Sequence, residues 1–509
     1  MVSRLHSAAF SGIEAVRVEV EVDVARRGFA GATVVGLPDA AVKESIERVR
    51  SAMQNSGYAF PRYKTVINLA PADLRKEGPA FDLPIALGIL FGSGDIVDEC
   101  SAQYMVTGEL ALDGRVRPVK GVLSAAILAK EYGLRGIVLP AQNASEAAVV
   151  DGLDVIPATC LTEAAGFLSG QLPLDPVVID LDKVFTEAST YTCDFAEVRG
   201  QESVKRALTI AAAGMHNVLL IGPPGSGKTM LAKRLPTILP QLSLEESLET
   251  TRIQSVAGVL RPGTALLATR PVRMPHHSAS IPALVGGGTV PQAGEVSLAH
   301  YGILFLDEFP EFSRAALEAL RQPLEDAQVT IARAHSTISF PASFMLVAAM
   351  NPCPCGYYSD ARKACKCTPS QIEKYLSRIS GPLIDRIDIH VEVLAVPFHE
   401  LRSRRDGAPS SVMREQVLRA HRRQRERFGA DARMVNSRMN GKALRHHCQL
   451  DDAGESVLRQ AINELGLSAR AHDKILRVGR TIADLADRPE IIADDVLEAV
   501  HYRRLDRQL

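Results

Sequence analysis

A glycine-rich loop near the middle of the chain carries the residues with the clearest chemistry. Its eight residues, Gly222-Pro-Pro-Gly-Ser-Gly-Lys228-Thr229, match the phosphate-binding pattern G-x-x-x-x-G-K-T and lie between an apolar strand and a helix. Glycines let successive backbone N–H groups face phosphates, and the helix start adds positive potential. We expect Lys228 to contact the β and γ phosphates of a nucleotide and Thr229 to bind Mg²⁺. The residues predicted to contact the nucleotide are Gly222, Pro223, Pro224, Gly225, Ser226, Gly227, Lys228, Thr229, Met230 and Asp307.

Two acidic residues end a second apolar strand, Ile303-Leu-Phe-Leu, about eighty residues after Lys228. Nucleotide hydrolysis needs one carboxylate to hold the magnesium shell and another to polarise water. Asp307 is predicted to hold Mg²⁺ together with Thr229, and Glu308 is predicted to activate the water. A strand ending in Asp-Glu is a weak signal alone, and its spacing from the glycine loop makes it specific.

A third apolar strand, Phe344 to Met350, ends at Asn351. The Asn351 amide is predicted to orient the attacking water or to contact the γ-phosphate, the alternative being an ordinary turn former. Further on, Arg386 lies between Asp385 and Asp388. It forms either an ion pair within its own chain or a finger that stabilises phosphoryl charge in a neighbouring subunit's site.

Four cysteines form two C-x-C pairs between Asn351 and Arg386. Four thiolates suit a closed tetrahedral zinc site, although C-x-x-C spacing is the commoner form. Four free thiols in a reducing compartment are the alternative. The predicted ligands of this structural zinc are Cys353, Cys355, Cys365 and Cys367.

The elements that must position these residues change in type along the chain. Alternating apolar and polar residues from Ala15 to Val24 predict a half-buried strand, and Asp39 is expected to cap a helix. Buried parallel strands around the glycine loop predict a doubly wound α/β core, and helical stripes follow from Val412 onward. The predicted domains are residues 1–170, a linker at 171–194, an ATPase core at 195–395 with a zinc insertion at 351–368, and a helical lid at 396–509.

Length and composition agree with about three domains of about 100 to 200 residues each. The 509 residues are 46% hydrophobic and 23% charged, with a formal net charge of −1, as in an ordinary globular protein. No run of about 18 apolar residues occurs, and the first residues do not resemble a secretory signal. A cytoplasmic protein without membrane contact is expected.

These motifs resemble those of the magnesium-chelatase-like AAA+ proteins, and more closely the YifB/ComM family. The likeness rests on the residues above together with Val35-Gly-Leu-Pro-Asp39, Gly78-Pro-Ala-Phe-Asp-Leu-Pro84 and Asn351-Pro-Cys-Pro-Cys-Gly356, and it covers nearly the whole chain. The resemblance implies a hexameric ATPase, with ComM members acting as DNA branch-migration helicases in natural transformation. It also implies Arg386 as the finger and Arg470 as a second sensor, for which Arg477 competes.

The first domain resembles the Lon protease domain, an α+β fold of the ribosomal S5 domain 2-like type. Lon-type proteases have a serine after Asp-Gly-Pro and a lysine after Gly-Arg-Val-x-Pro; here these positions are Ala80 and Leu123. Neither alanine nor leucine can attack a carbonyl or move a proton. The domain is therefore expected to be catalytically inactive, and Lys120 nearby to be a solvated charge.

Three functions remain open from the sequence. The leading one is a ring-forming, ATP-driven DNA motor, with DNA and further copies of the chain as partners. The second is an ATP-driven protein remodeller or protease regulator that docks a partner protein on its first domain. The third is a magnesium-chelatase-type ATPase subunit, active only with partner subunits.

Overall fold

A computed structural model describes residues 2–27, 31–187, 191–288, 291–333, 336–358, 363–396, 407–429 and 434–503. Residues 359–362, in the middle of the predicted zinc insertion, and residues 397–406, near the predicted start of the lid, lie outside the described residues. The chain divides into two compact units. Unit 1 comprises Met1–Ala188 and Ser243–Ala268, and unit 2 comprises Ser189–Leu242 and Thr269–Leu509.

Unit 1 is built on a seven-stranded mixed sheet. The strands of this unit are β1 (Val2–Ser11), β2 (Glu14–Val24), β3 (Ala32–Val35), β4 (Thr65–Ala70), β5 (Tyr104–Val106), β6 (Glu109–Leu110), β7 (Val116–Arg117), β8 (Gly136–Pro140) and β9 (Asp154–Ala158). The sheet order is β3-β4-β2-β1-β5-β8-β9, and β6 pairs with β7. The strand predicted from Ala15 to Val24 is confirmed as β2, which is antiparallel to β1 and β4.

Helices cover the sheet of unit 1 with apolar faces. They are α1 (Ala40–Asn55), α2 (Asp82–Ser93), α3 (Val122–Glu131), α4 (Ala144–Ala147), α5 (Leu161–Leu168), α6 (Leu181–Glu187) and, later in the chain, α9 (Leu244–Ala257). The predicted cap is confirmed, since Asp39 Oδ1 accepts a hydrogen bond of 2.7 Å from Val42 N. On α1 the apolar residues Val42, Ile46, Val49 and Met53 are buried on one face, as the 3.6-residue period requires.

Two segments differ from the sequence-based domain plan. Residues 171–194 were expected to form a linker, but α6 lies within them, and Leu181 and Val184 pack on the apolar core of unit 1. The apolar positions there are too few and too interrupted by Asp and Pro for a local pattern to predict the helix. Helix α9, expected in the ATPase core, belongs to unit 1.

Three side chains explain why α9 packs in unit 1. Arg252 Nη2 forms a 2.9 Å ion pair with Glu14, and Ile253 is buried. The Ser255 hydroxyl donates to the buried carboxylate of Glu146. These partners come from distant parts of the chain, so the local sequence does not predict the contacts.

Unit 2 is built on a five-stranded parallel sheet with the order β11-β14-β17-β10-β18. Its strands are β10 (Val218–Ile221), β11 (Val272–Arg273), β14 (Ile303–Leu306), β17 (Met345–Met350) and β18 (Ile389–Glu392). Two hairpins accompany the sheet, formed by β12 (Gly286–Gly287) with β13 (Gln292–Ala293) and by β15 (Gln328–Arg333) with β16 (Ser336–Pro341). The predicted parallel α/β core is confirmed.

The helices of unit 2 fall into two groups. Those around the sheet are α7 (Glu202–Gly214), α8 (Lys228–Arg234), α10 (Ile281–Val285), α11 (Glu295–Leu298), α12 (Arg314–Ala319), α13 (Arg321–Asp326), α14 (Pro369–Leu376) and α15 (Gly381–Ile384). The last part of the chain, where helical stripes were predicted, forms α16 (Ser410–Phe428), α17 (Gly441–His447), α18 (Asp452–Leu465), α19 (Ala469–Leu485) and α20 (Ala493–His501). Among the described residues, no helix is both long and apolar enough to span a membrane.

Candidate active site

The sheet of unit 2 places the glycine loop at the point where the strand order reverses. Strand β10 precedes the loop and pairs with β17 on one side and β18 on the other. In open parallel sheets such a reversal forms a crevice at the carboxyl ends of the strands, where ligands bind. The ends of β14 and β17 adjoin the same crevice because these strands are neighbours.

The path of the loop explains two of its glycines. Gly227, immediately before α8, has φ of 92°, a left-handed conformation that favours glycine. A Cβ on Gly222 would lie 2.2 Å from the carbonyl oxygen of Val393, so no larger residue fits there. The loop therefore curls tightly between β10 and α8, with the start of α8 facing the crevice.

Lys228 occupies the centre of this loop and is 8% exposed. Its ammonium donates to Gly222 O at 2.7 Å, Pro223 O at 3.0 Å and Asn351 Oδ1 at 3.1 Å. Burial lowers the pKa of Lys228, and the nearby Asp307 opposes that shift. A buried ammonium hydrogen-bonded to neutral oxygens is a strong attractor for an anion. The loop therefore fits a phosphate group.

Thr229 and Asp307 meet across the crevice. The Thr229 hydroxyl donates to Asp307 Oδ2 at 2.7 Å, and Asp307 Oδ1 accepts from Glu308 N at 2.9 Å. Asp307 follows directly on β14, whose four residues are buried, so its position is well fixed. A hydroxyl and a carboxylate oxygen beside a phosphate-binding loop are the donors that Mg²⁺ prefers. These two residues fit the predicted metal ion.

Glu308 extends away from the strand end, with its side chain 58% exposed. Its carboxylate contacts His277, whose Nδ1 lies 3.0 Å from Glu308 Oε2. His277 comes from the loop between β11 and α10 and stacks against His276. The local sequence around His277 carries no signal for a contact with Glu308.

Asn351 lies at the end of β17, beside the loop, as the sequence predicted. Its Oδ1 accepts from Lys228, which fixes the amide orientation. A residue that the sequence analysis did not select, Gln201, also supports the loop. Its Nε2 donates to Ser226 O at 2.8 Å and to Leu394 O at 3.0 Å. The only sequence signal for Gln201 is its place in the Gly-Gln pair ahead of the loop.

Arg386 is buried and forms an ion pair with Glu325 of α13. The ion-pair alternative from the sequence is thus present, but with a distant partner in place of the adjacent Asp385 and Asp388. Asp388 is itself buried and pairs with Lys474 of α19. Glu325 is 51% exposed, so the pair lies at the surface on its acidic side.

The two candidate second sensors lie on α19. Arg470 is exposed in the first turn of the helix, which Ser468 caps. Arg477 Nη2 donates to the carbonyl oxygen of Met439 at 2.6 Å, a bond between helical segments. The side chain of Arg470 is therefore more exposed than that of Arg477. The role of Arg470 as a second sensor stays a prediction.

The four clustered cysteines converge as a metal site requires. Their Sγ atoms all lie within 4.8 Å of one another, and Cys353 is buried. Backbone N–H groups of Lys366 and Tyr357 lower the pKa of Cys355 to about 6, whereas burial and the neighbouring thiols raise the pKa of Cys365 and of Cys367. Thiolates are the zinc-binding form of cysteine. These residues could hold a metal ion, with Cys353 two residues from Asn351.

Unit 1 lacks a comparable arrangement at the positions that resemble a Lon protease site. Ala80 lies in a short 3₁₀ turn, Pro79–Phe81, and Leu123 is fully buried. The Leu123 N–H donates to Glu146 at 3.0 Å. Lys120 is exposed and lies against the backbone of Gly258. Neither position offers a nucleophile or a base.

Comparison with known proteins covers almost the entire chain. Family models described as magnesium chelatase, subunit ChlI, match residues 194–401 and 20–143, and a model of the ChlI C-terminal region matches residues 407–503. The chain is 45% identical to competence protein ComM of Haemophilus influenzae, over 99% of this chain and 98% of the relative. It is 43% identical to YifB of Salmonella typhimurium, over 99% and 97%. A local similarity of 27% identity to Lon protease 2 of Bacillus subtilis covers 28% of this chain and 26% of that protein.

Proposed function

The chain belongs to the magnesium-chelatase-like AAA+ family that includes ComM and YifB, and we propose that it is an ATP-hydrolysing, ring-forming DNA motor. Membership of this family implies ATP and Mg²⁺ as cofactors. The observation that carries the proposal is the meeting of Lys228, Thr229, Asp307 and Asn351 at one sheet edge. A buried ammonium, a metal-binding pair and a polar amide are together the requirements for phosphoryl transfer to water.

Each of these residues has a definite task in the proposed reaction. Lys228 and the loop N–H groups bind the phosphates, and Thr229 and Asp307 hold Mg²⁺, which neutralises phosphate charge when bound. Glu308 accepts the proton of the attacking water, and Asn351 orients that water. Because Glu308 contacts His277, it must change partner before it reaches the water.

Arg386 supplies positive charge to the site of an adjacent subunit in this proposal. Its guanidinium is held by Glu325, whose carboxylate is largely exposed and can be solvated when the pair opens. A finger in trans explains why the family members would work as rings, with a hexamer as the expected assembly. Arg470 is proposed to contact the nucleotide from α19 as a second sensor.

DNA as the substrate is supported by two observations. The whole chain aligns with a relative named competence protein, which favours a role in recombination and natural transformation, with branch migration as the expected activity. In addition, the loop with His277 contacts Glu308, and we propose that this loop also contacts the DNA. A loop that contacts both substrate and Glu308 would couple DNA binding to hydrolysis.

The other parts of the chain receive supporting roles. Unit 1 is proposed to be a Lon-like domain without protease activity that binds a partner protein, DNA or a neighbouring subunit. Cys353, Cys355, Cys365 and Cys367 are proposed to hold one structural Zn²⁺ per chain. Metal analysis of protein purified without chelator tests this, with about one zinc per chain expected and no zinc counting against it.

The deciding experiment is the steady-state ATPase rate of the purified chain without DNA, with single-stranded DNA and with a forked junction. We expect DNA to stimulate hydrolysis, with the strongest response to one of the DNA forms, and the Glu308→Gln variant to lose the stimulated rate. A rate that responds to an unfolded protein and not to DNA would replace this proposal with a protein remodeller. Activity that appears only with added partner subunits would favour a chelatase-type subunit.

A further inference from the structure

The segment from Asn351 to Gly356 connects two sites that have been described separately. At its start, Asn351 accepts a hydrogen bond from Lys228 of the nucleotide loop. Two residues later, Cys353 is the first of the four clustered thiols. Any change in the path of this segment therefore changes both the cysteine cluster and the nucleotide site.

The contact between the segment and the glycine loop is close. Gly356 N donates to Cys353 O at 2.9 Å, which closes a tight turn, and Gly356 has φ of 84°. A Cβ on Gly356 would lie 2.6 Å from Pro224 Cδ, well inside van der Waals contact. The turn that carries Cys353 and Cys355 thus packs its backbone directly against Pro224 of the nucleotide loop.

The remaining two thiols attach this turn to a different element. Cys365 and Cys367 precede α14, whose first turn is capped by Thr368. Cys353 Sγ lies 3.4 Å from Cys355 Sγ and 3.7 Å from Cys365 Sγ. A metal ion bonded to all four sulfur atoms would join the turn to the segment before α14, and it would thereby restrict the position of the turn.

We propose that the metal held by these four cysteines positions the turn against Pro224 and Asn351 beside Lys228, so that metal occupancy and nucleotide affinity are linked. The inference rests on the zinc and nucleotide sites proposed above. Linkage between two sites is reciprocal. Because bound zinc is proposed to strengthen nucleotide binding, nucleotide must raise the affinity for zinc by the same factor.

The test measures ADP binding by calorimetry to the full-length protein in three states: zinc-loaded, stripped by a chelator, and reloaded with zinc. Coupling between sites commonly amounts to about 5-fold to 150-fold. We expect ADP to bind at least about 5-fold more weakly after stripping and to recover on reloading. Equilibrium competition with a chromogenic chelator should show a correspondingly higher zinc affinity when ADP is saturating, which reports the linkage without any measurement of activity.

A variant that leaves the thiols intact separates zinc binding from the effect of zinc on nucleotide affinity. Gly356→Ala should keep zinc but weaken ADP binding, because the new Cβ pushes the turn away from Pro224. Gly466→Ala is the matched control, since Gly466 also has positive φ but has open space around its Cβ position. Cys367→Ser should lose zinc and ADP affinity together, whereas Cys160→Ser, outside the cluster, should change neither.

The outcomes distinguish this inference from the proposals on which it rests. Equal ADP affinity with and without zinc overturns the linkage and leaves both sites standing. Failure to bind added zinc overturns the metal site and the linkage but not the nucleotide site. Failure of the zinc-loaded protein to bind ADP at all overturns the nucleotide site and the linkage with it.

Discussion

Each unit of the molecule contains a buried arginine–carboxylate pair, and the two pairs are built in opposite ways. In unit 1, Arg48 Nε contacts Asp82 at 2.8 Å, and the Asp82 side chain is fully buried. In unit 2, Arg386 is the buried member, whereas the side chain of Glu325 is 51% exposed. Arg48 therefore neutralises an acid that has no access to water, and Arg386 pairs with an acid that water can solvate.

The difference separates an arginine with a structural task from one that can change partner. Burial raises the pKa of Asp82 despite its hydrogen bonds to Arg48, which shows how poorly that carboxylate is solvated. Loss of Arg48 would leave this acid buried and unpaired. Loss of Arg386 would leave Glu325 in water at little cost, which is compatible with the proposed action of Arg386 in a neighbouring site.

The largest expected effect comes from Arg386→Ala. We expect the turnover number of ATP hydrolysis to fall by about 10³-fold or more, as for other arginine fingers. The free energy of unfolding should fall by only about 1 kcal/mol, because the acid left behind, Glu325, is 51% exposed and is solvated by water. Steady-state ATPase assays and chemical denaturation measure the two quantities.

A mixture of two inactive variants tests whether Arg386 acts across subunits. Arg386→Ala mixed with Lys228→Ala should regain part of the activity, because some interfaces then combine an intact loop with an intact finger. No recovery in rings shown to contain both variants would place the action of Arg386 within its own subunit.

Glu308→Gln is expected to have the next largest effect. Removal of a general base lowers turnover by about 10²-fold to 10⁴-fold, while the nucleotide affinity should be retained because Glu308 does not line the phosphate loop. Single-turnover hydrolysis and ATP binding give the two numbers. Glu311→Gln, at an exposed acid nearby that pairs with Arg378, serves as the control. Wild-type turnover in Glu308→Gln would assign water activation to another residue.

Arg48→Ala should show the reverse of the Arg386 result. We expect the free energy of unfolding to fall by about 3–5 kcal/mol, because the buried Asp82 is left unpaired. The ATPase rate per folded molecule should stay near the wild-type value. Arg135→Ala, which removes an exposed pair with Asp154, is the control for stability. If Arg48→Ala abolishes ATP hydrolysis in protein that remains folded, Arg48 does not have a purely structural task.

The smallest effect is expected from Glu146→Gln in unit 1. Burial raises the pKa of Glu146, although hydrogen bonds from Ser255 and Leu123 N oppose the shift. The stability that this acid contributes is therefore complete below its ordinary pKa of about 4.3 and is lost as pH rises through the raised pKa of the folded state.

Glutamine does not titrate, so the variant should gain stability relative to wild type across that pH range and keep a constant difference above it. Denaturation at a series of pH values measures the difference. Glu131→Gln, at an exposed site, is the control. A difference that is independent of pH would mean that the carboxylate does not change protonation on unfolding.

The sequence predicted those parts of the site that local patterns determine. Strand ends, the loop glycines and the acids after β14 follow from short-range periodicity, and the structure places them at one edge of a parallel sheet. The partner of Arg386 is 61 positions away on a separate helix, and His277 reaches Glu308 from another loop. Such contacts depend on how elements pack, and a single sequence carries no local signal for them.

The position of helix α9 in unit 1 determines which fragments of the chain can be expressed as an isolated ATPase. A fragment that starts after residue 194 retains Ser243–Ala268 but loses Glu14 and Glu146, the partners of Arg252 and Ser255 in unit 1, so its aggregation would say nothing about the ATPase itself. The residues on either side of Ser243–Ala268 lie close together, since Arg270 Nε donates to Pro240 O at 2.8 Å. An excised chain in which a short turn joins Leu242 to Thr269 is therefore the rational ATPase fragment.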